Sequence, residues 1–260
     1  MNRTGLLIAL GIAIVTGLLF GFYPELDLRV ARYFHSFNDD TNNYFSWRIY
    51  PPLMAARDIG LWIPTLLIVP VLVAFFWKLL LPRRKLLLSG RAILFLVATM
   101  ALGPGLLVNV ILKDHWGRSR PIDVQPLGGP ERFVPWWSTR GDCPNNCSFV
   151  SGDVSGAFWT IAPAILTPPP VRAVAVGAAL ALGTAMAAMR VMAGGHFVSD
   201  VIFAGVFTFL IIWLMHGLIY RWPRTRLTDE SVEHAIERAA MPGHNFLVRL
   251  FGGNPDNKPK

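Results

Sequence analysis

Of 260 residues, 53% are hydrophobic and 15% charged, whereas soluble domains carry about 25% charged residues. That balance excludes an ordinary soluble globular fold. The formal net charge of +8 does not point to nucleic acid either, because the basic residues sit between apolar stretches and form no soluble basic surface.

A bilayer core roughly 30 Å thick takes about 20 apolar residues per helix. Six stretches meet or approach that length: 5–22, 61–81, 92–112, 154–167, 171–189 and 201–220. They predict an all-α polytopic membrane protein, a six-transmembrane-helix bundle forming one membrane domain over residues 1–227. The first stretch follows Asn2-Arg3 but runs on into Phe22-Tyr23-Pro24-Glu25 with no small-residue cleavage site. It therefore reads as an uncleaved helix rather than a signal peptide. The fourth is short on its own and is expected to begin earlier, near Ser151. Residues 23–60 read as an outer loop, within which 26–34 has the mixed periodicity of an interfacial helix. Trp116, Trp136 and Trp137 suit the headgroup layer. Residues 228–260 are expected to form a cytoplasmic tail, with a short helix over 228–240 and disordered last residues.

Loop charges set the expected orientation. Lys78, Arg83, Arg84, Lys85 and Arg91 lie between the second and third stretches, and Arg221, Arg224 and Arg226 follow the sixth. Both clusters belong on the cytoplasmic side, facing anionic lipid, and an even number of spans puts both termini there. The natural setting is a bacterial inner membrane. Residues 113–153 and 190–200 then meet on the opposite, periplasmic face. That face carries Lys113, Arg118, Arg120, Arg132, Arg140 and Arg190, against the positive-inside tendency. A phosphate partner would account for them, since guanidinium offers bidentate hydrogen bonds and ammonium a compact charge. Cys143 and Cys147 fall on this face too and are a disulfide candidate for an oxidising compartment. Two free thiols, or half of a zinc site lacking its second Cys or His pair, are the alternatives.

The chemistry can be stated residue by residue. His196 is followed four residues later by Asp200, and residues four apart share a helix face. A carboxylate on one imidazole nitrogen fixes the tautomer and leaves the other free to attack. Arg190, Arg120 and Lys113 can hold phosphoryl oxygens in the transition state. Ser151 and Gly152, at the start of the fourth stretch, can offer backbone N–H groups.

The spacing resembles the three-part signature of the PAP2 (type 2 phosphatidic acid phosphatase) superfamily: K-x6-RP in Lys113–Pro121, PSGH in Val150–Asp153, and SR-x5-H-x3-D in Met189–Asp200. The resemblance implies a metal-free, cofactor-free lipid phosphatase with His196 as nucleophile, forming a phosphohistidine. Asp200 would orient it, and Lys113, Arg120, Ser151, Gly152 and Arg190 would bind phosphate. The substrate would be a lipid phosphate in the membrane, with polyprenyl diphosphate or lipid A phosphate favoured; no nucleic acid is implied and protein partners stay open. Three letters depart from the signature: Val150, Met189 and Asp153. Asp153 stands where the family carries a histidine acting as general acid. An imidazolium delivers a proton readily near neutral pH, whereas a free carboxylic acid is already ionised there; burial favours the neutral acid and nearby cations the carboxylate. Asp153 is thus a candidate catalytic acid, or else the leaving group needs little protonation; His115 is a second candidate acid. The rival from another class is a catalytically silent membrane subunit that binds anionic lipid or stabilises a larger complex. The retained set of ionisable residues at membrane depth argues against decay. A metal held by Asp153, His196 and Asp200 is opposed by the surrounding cations.

Overall fold

A computed structural model describes residues 3–35 and 45–250. In chain order they form α1 (Arg3–Phe22), α2 (Glu25–Phe34), α3 (Pro51–Leu80), α4 (Gly90–His115), α5 (Gly152–Trp159), α6 (Ile161–Leu166), α7 (Pro169–Met192), α8 (Val198–Arg221) and α9 (Asp229–Leu250). Among the described residues there is no strand, only an isolated bridge between Val124 and Glu131. Helices α1, α3, α4, α7 and α8 are each long and apolar enough to cross a bilayer. The protein is a polytopic helical membrane protein.

Two of the expected boundaries moved, each for a local reason. The fourth apolar stretch is two helices of 8 and 6 residues, neither long enough for a roughly 30 Å core. The chain breaks at Thr160, whose hydroxyl bonds back to the Ala157 carbonyl at 2.6 Å. Pro163 in the next turn has no N–H to continue the ladder. Among the described residues five helices are continuous and long enough to cross, and the remaining expected crossing falls on the consecutive pair α5 and α6. At α3 the change runs the other way. The helix begins at Pro51 rather than near residue 61, because Pro51-Pro52 is preset for a first turn and Leu53-Met54-Ala55-Ala56-Arg57 are good helix formers. What read as outer loop is therefore helix, and it carries Arg57.

The chain forms two compact units, Met1–Thr65 with Thr99–Leu214, and Leu66–Ala98 with Met215–Lys260. The first has a core of Val108, Phe149, Val154, Met186, Phe203 and Ala204. Trp116 and Trp136 stack on Phe149, and their indole N–H groups donate to the carbonyls of Trp136 and Gly17. Both serve packing, and Trp137 is the one left exposed. Phe158 of α5 fits between Gly183 of α7 and Gly205 of α8, where a Cβ would lie 2.5 and 2.9 Å from its ring. Small residues permit such close helix approach in membranes.

In the second unit α9 starts at Asp229, as expected, but runs to Leu250 past Pro242. Thr228 Oγ1 caps it by accepting from Ser231 N at 3.1 Å. Asp229 accepts from the Ser89 hydroxyl and from Arg91 N at 3.0 Å. Glu233 accepts from Lys78 Nζ at 2.9 Å and Leu86 N at 3.0 Å. Lys78 and Arg91, read from sequence as topology determinants, thus also anchor this helix. The expected disorder of the last residues falls on 251–260, outside the described residues.

Candidate active site

Three segments of the first unit build the site. Helix α7 carries Arg190 in its last turn, and the chain then turns at Gly194, whose φ is +65°. A Cβ at Gly194 would also sit 2.5 Å from the Phe45 ring, so only glycine suits this left-handed position. Gly195 follows directly beneath the Arg190 guanidinium, and His196 comes next, 1% exposed.

The imidazole of His196 is fixed from one side. Its Nδ1 lies 2.7 Å from the Ser148 carbonyl. A carbonyl only accepts, so Nδ1 carries the proton and Nε2 of the neutral ring is left with a free lone pair. Burial, then the Arg190 and Arg120 cations, hold the His196 pKa well below the usual imidazole value; the Ser148 bond opposes them only in part. The ring is therefore neutral and nucleophilic at pH 7.

Asp200 does not reach His196 in the way the spacing suggested. Its carboxylate accepts from the Ser148 hydroxyl at 2.5 Å, from Phe197 N at 2.9 Å and from Arg118 Nη1. It acts one residue removed: it secures Ser148, and Ser148 secures the ring. The reason is that Asp200 lies at the start of α8, where orphan backbone N–H groups and a buried guanidinium compete for its oxygens. Arg118 is wholly buried, also donates to Asp27 Oδ2 at 2.8 Å, and lies 4.5 Å over the Phe197 ring. Asp27 in turn accepts from Ser199 N at 3.0 Å and Ser199 Oγ at 2.5 Å. Helix α2, the 118 loop and the start of α8 are joined by this buried network.

Around the ring stand the expected phosphate ligands. Lys113 lies in the last turn of α4, and its carbonyl accepts from Cys147 N at 2.8 Å. A Cβ at Gly152 would lie 2.6 Å from Asn109 Oδ1 and 3.4 Å from Lys113 Nζ, so a glycine lets α5 start close against α4. Ser151 caps α5, its hydroxyl accepting from Val154 N at 3.5 Å. Arg120 donates through Nη2 to the Asn146 carbonyl at 2.7 Å and to Asn146 Oδ1 at 2.8 Å. Asn146, at φ 48°, belongs to the short loop closed by the Cys143–Cys147 disulfide. His115 turns Nδ1 to the Val110 and Ile111 carbonyls of its own helix.

Asp153 has found arginine partners. Arg57 Nε and Nη2 each lie 2.8 Å from its Oδ2, and Arg190 Nε lies 3.4 Å from the same oxygen without hydrogen-bond alignment. Sequence reasoning missed Arg57 because it precedes the apolar run; the Pro51-Pro52 helix start was the available signal. It also missed Ser148, Asn146, Asp27 and the structural part of Arg118, which no motif letter marks. Beside these groups is a cavity of about 300 Å³ lined by Trp47, Arg48, Met54, Arg57, Arg120 and Arg190.

The sequence is similar to known proteins. The PAP2 superfamily model matches residues 92–225. The chain is 32% identical over 232 residues to a lipid A 4'-phosphatase of Francisella tularensis subsp. novicida, covering 85% of this chain and 98% of that protein. It is 41% identical over 106 residues to a lipid A 4'-phosphatase of Rhizobium leguminosarum, covering 41% of this chain and 46% of that protein. A third, from Rhizobium etli, is 42% identical over 105 residues, 40% of this chain and 41% of that protein. No solved structure matches.

Proposed function

The chain belongs to the PAP2 superfamily, and on that footing we propose that it is a membrane phosphatase that removes a phosphate from a lipid A-type sugar phosphate through a phosphohistidine on His196. One observation carries the mechanism: Nδ1 of a buried, neutral imidazole is bound to a backbone carbonyl, which leaves Nε2 for phosphorus. In the first step the Nε2–P bond forms and the P–O bond to the lipid breaks, the departing oxygen taking a proton from a water molecule. The hydroxide left by that water is neutralised by the proton that the attacking water releases in the second step. In the second step water attacks phosphorus, the N–P bond breaks, and inorganic phosphate leaves. Lys113, Arg120 and Arg190, with the N–H groups at the start of α5, take up the charge on the equatorial oxygens. Asp200 is a positioning residue acting through Ser148. Asp153 accepts a hydrogen bond from Arg57 Nε and is ion-paired with Arg57 Nη2 and Arg190, the role of a carboxylate that positions two guanidiniums. The substrate class is supported by the relative aligned along 98% of its length. The setting we assign is a bacterial inner membrane, with the site on the periplasmic face and both termini in the cytoplasm.

The test offers purified protein lipid A phosphates, phosphatidic acid and a polyprenyl diphosphate, with chelator present, and follows phosphate release. Lipid A phosphate is expected to be the best substrate, and His196→Ala to abolish turnover and ³²P trapping on the protein. Release surviving that substitution would mean another nucleophile. No release from any of these lipids by the native chain would favour the silent-subunit reading instead.

A further inference from the structure

The cavity beside the site has more cations than one phosphate uses. Arg120 and Arg190 are the motif residues. Arg48 and Arg57 come from a different part of the chain, the short turn Ser46–Arg48 and the beginning of α3, and they line the same space. Asp153 serves Arg57 and Arg190 together. Arg48 has no salt bridge among the described residues, and its charge is felt at Arg120 and Arg190. A phosphate monoester brings about −1.5 to −2 at pH 7. The residues lining the cavity include four guanidiniums and no carboxylate; Asp153 and Asp58 pair with Arg57 and Asp123 lies near Arg48 and Arg120, but none of them makes a salt bridge with Arg48. Four clustered like charges repel one another, and an arrangement of this kind is relieved by a ligand with more than one anionic group.

We propose that Arg48 and Arg57 form a second anion subsite, which takes a second acidic group of the same substrate molecule next to the phosphate held by Arg120 and Arg190. Asp153 couples the two subsites, because the same carboxylate oxygen faces Arg57 and Arg190. Trp47 and Met54 give the cavity an apolar edge for the carbon skeleton joining the two acidic groups. The proposal rests on the phosphate site of the preceding section and assigns that site's substrate a second charge.

Two probes separate the subsites: inorganic phosphate, with one anionic group, and methylenediphosphonate, with two joined by a linkage that resists hydrolysis. Their binding to the full chain in detergent micelles is measured by titration calorimetry. Methylenediphosphonate is expected to bind about tenfold or more tighter than phosphate, the scale of one charge-assisted hydrogen bond. Arg48→Gln, which leaves the Arg57–Asp153 pair in place, should remove most of that preference, and Arg48→Gln with Arg57→Gln all of it. Phosphate affinity should stay within about twofold in Arg48→Gln if the subsites are separate. An unchanged preference in both variants overturns the proposal, as does an equal loss for both probes. Phosphate that binds with no diphosphonate preference sinks the second subsite alone, whereas a native chain that binds neither probe sinks the phosphate site beneath it.

Discussion

At the scale of single residues, the site depends on where each charge is spent. His196 is buried among cations and neutral, so its reactive form is already present at neutral pH. The sign follows from protonation: the nucleophile is lost only on gaining a proton, and the depressed pKa moves that loss to lower pH. The acid limb of kcat/KM is therefore expected below pH 6.5, and a limb at or above 6.5 in a pH–rate profile would contradict the burial argument. The same group links stability to pH. Unfolded, the imidazole takes up a proton near 6.5; folded, it does so only at lower pH, so its contribution is complete above 6.5 and declines as pH falls through the window below. Arg118 shows the opposite use of charge. It is buried with Asp27 and Asp200 on either side, so it holds two carboxylates in place and has no free valence for substrate.

Among the elements, the short helix α5 matters most, because its N-cap Ser151 and first residue Gly152 belong to the proposed phosphate site. It is seated by Phe158, wedged between Gly183 and Gly205. Gly183→Ala would put a methyl group 2.5 Å from that ring and force a shift, at a cost of about 1–3 kcal/mol by the usual scale of overpacking. Thermal unfolding in detergent should show it, together with lower kcat/KM as Ser151 moves. Gly177 lies on the same helix with nothing within 4 Å of its Cβ position. Gly177→Ala should be neutral or stabilising by up to about 1 kcal/mol. Equal destabilisation by both would mean that the cost at Gly183 does not come from the seat for Phe158.

For the molecule as a whole, apolar run length sufficed to place the long helices, and three spaced motifs make Lys113, Arg120, Ser151, Gly152, Arg190, His196 and Asp200 candidates for the site. What could not be read were contacts between distant segments. Arg57 is 96 residues from Asp153 and Asp27 is 91 from Arg118; pairings of that kind leave no period in a sequence. Helix breaks were hidden too, because Pro163 interrupts a stretch whose composition stays apolar. The proposed orientation can be tested through the disulfide loop, whose Asn146 holds Arg120. In right-side-out spheroplasts, a membrane-impermeant phosphine should lower kcat/KM severalfold, since one proposed phosphate ligand loses its anchor. No effect there, with a full effect in inverted vesicles, would place the loop on the cytoplasmic side.

The bond that orients His196 ends on a main-chain oxygen. An orienting carboxylate can be lost through a single base change in its codon. A peptide carbonyl is supplied by any amino acid at position 148, so substitution there removes the hydroxyl link to Asp200 but never the acceptor itself. The tautomer of the proposed nucleophile is in that sense insulated from mutation: it can be weakened by displacing the backbone, not by changing the residue that provides it.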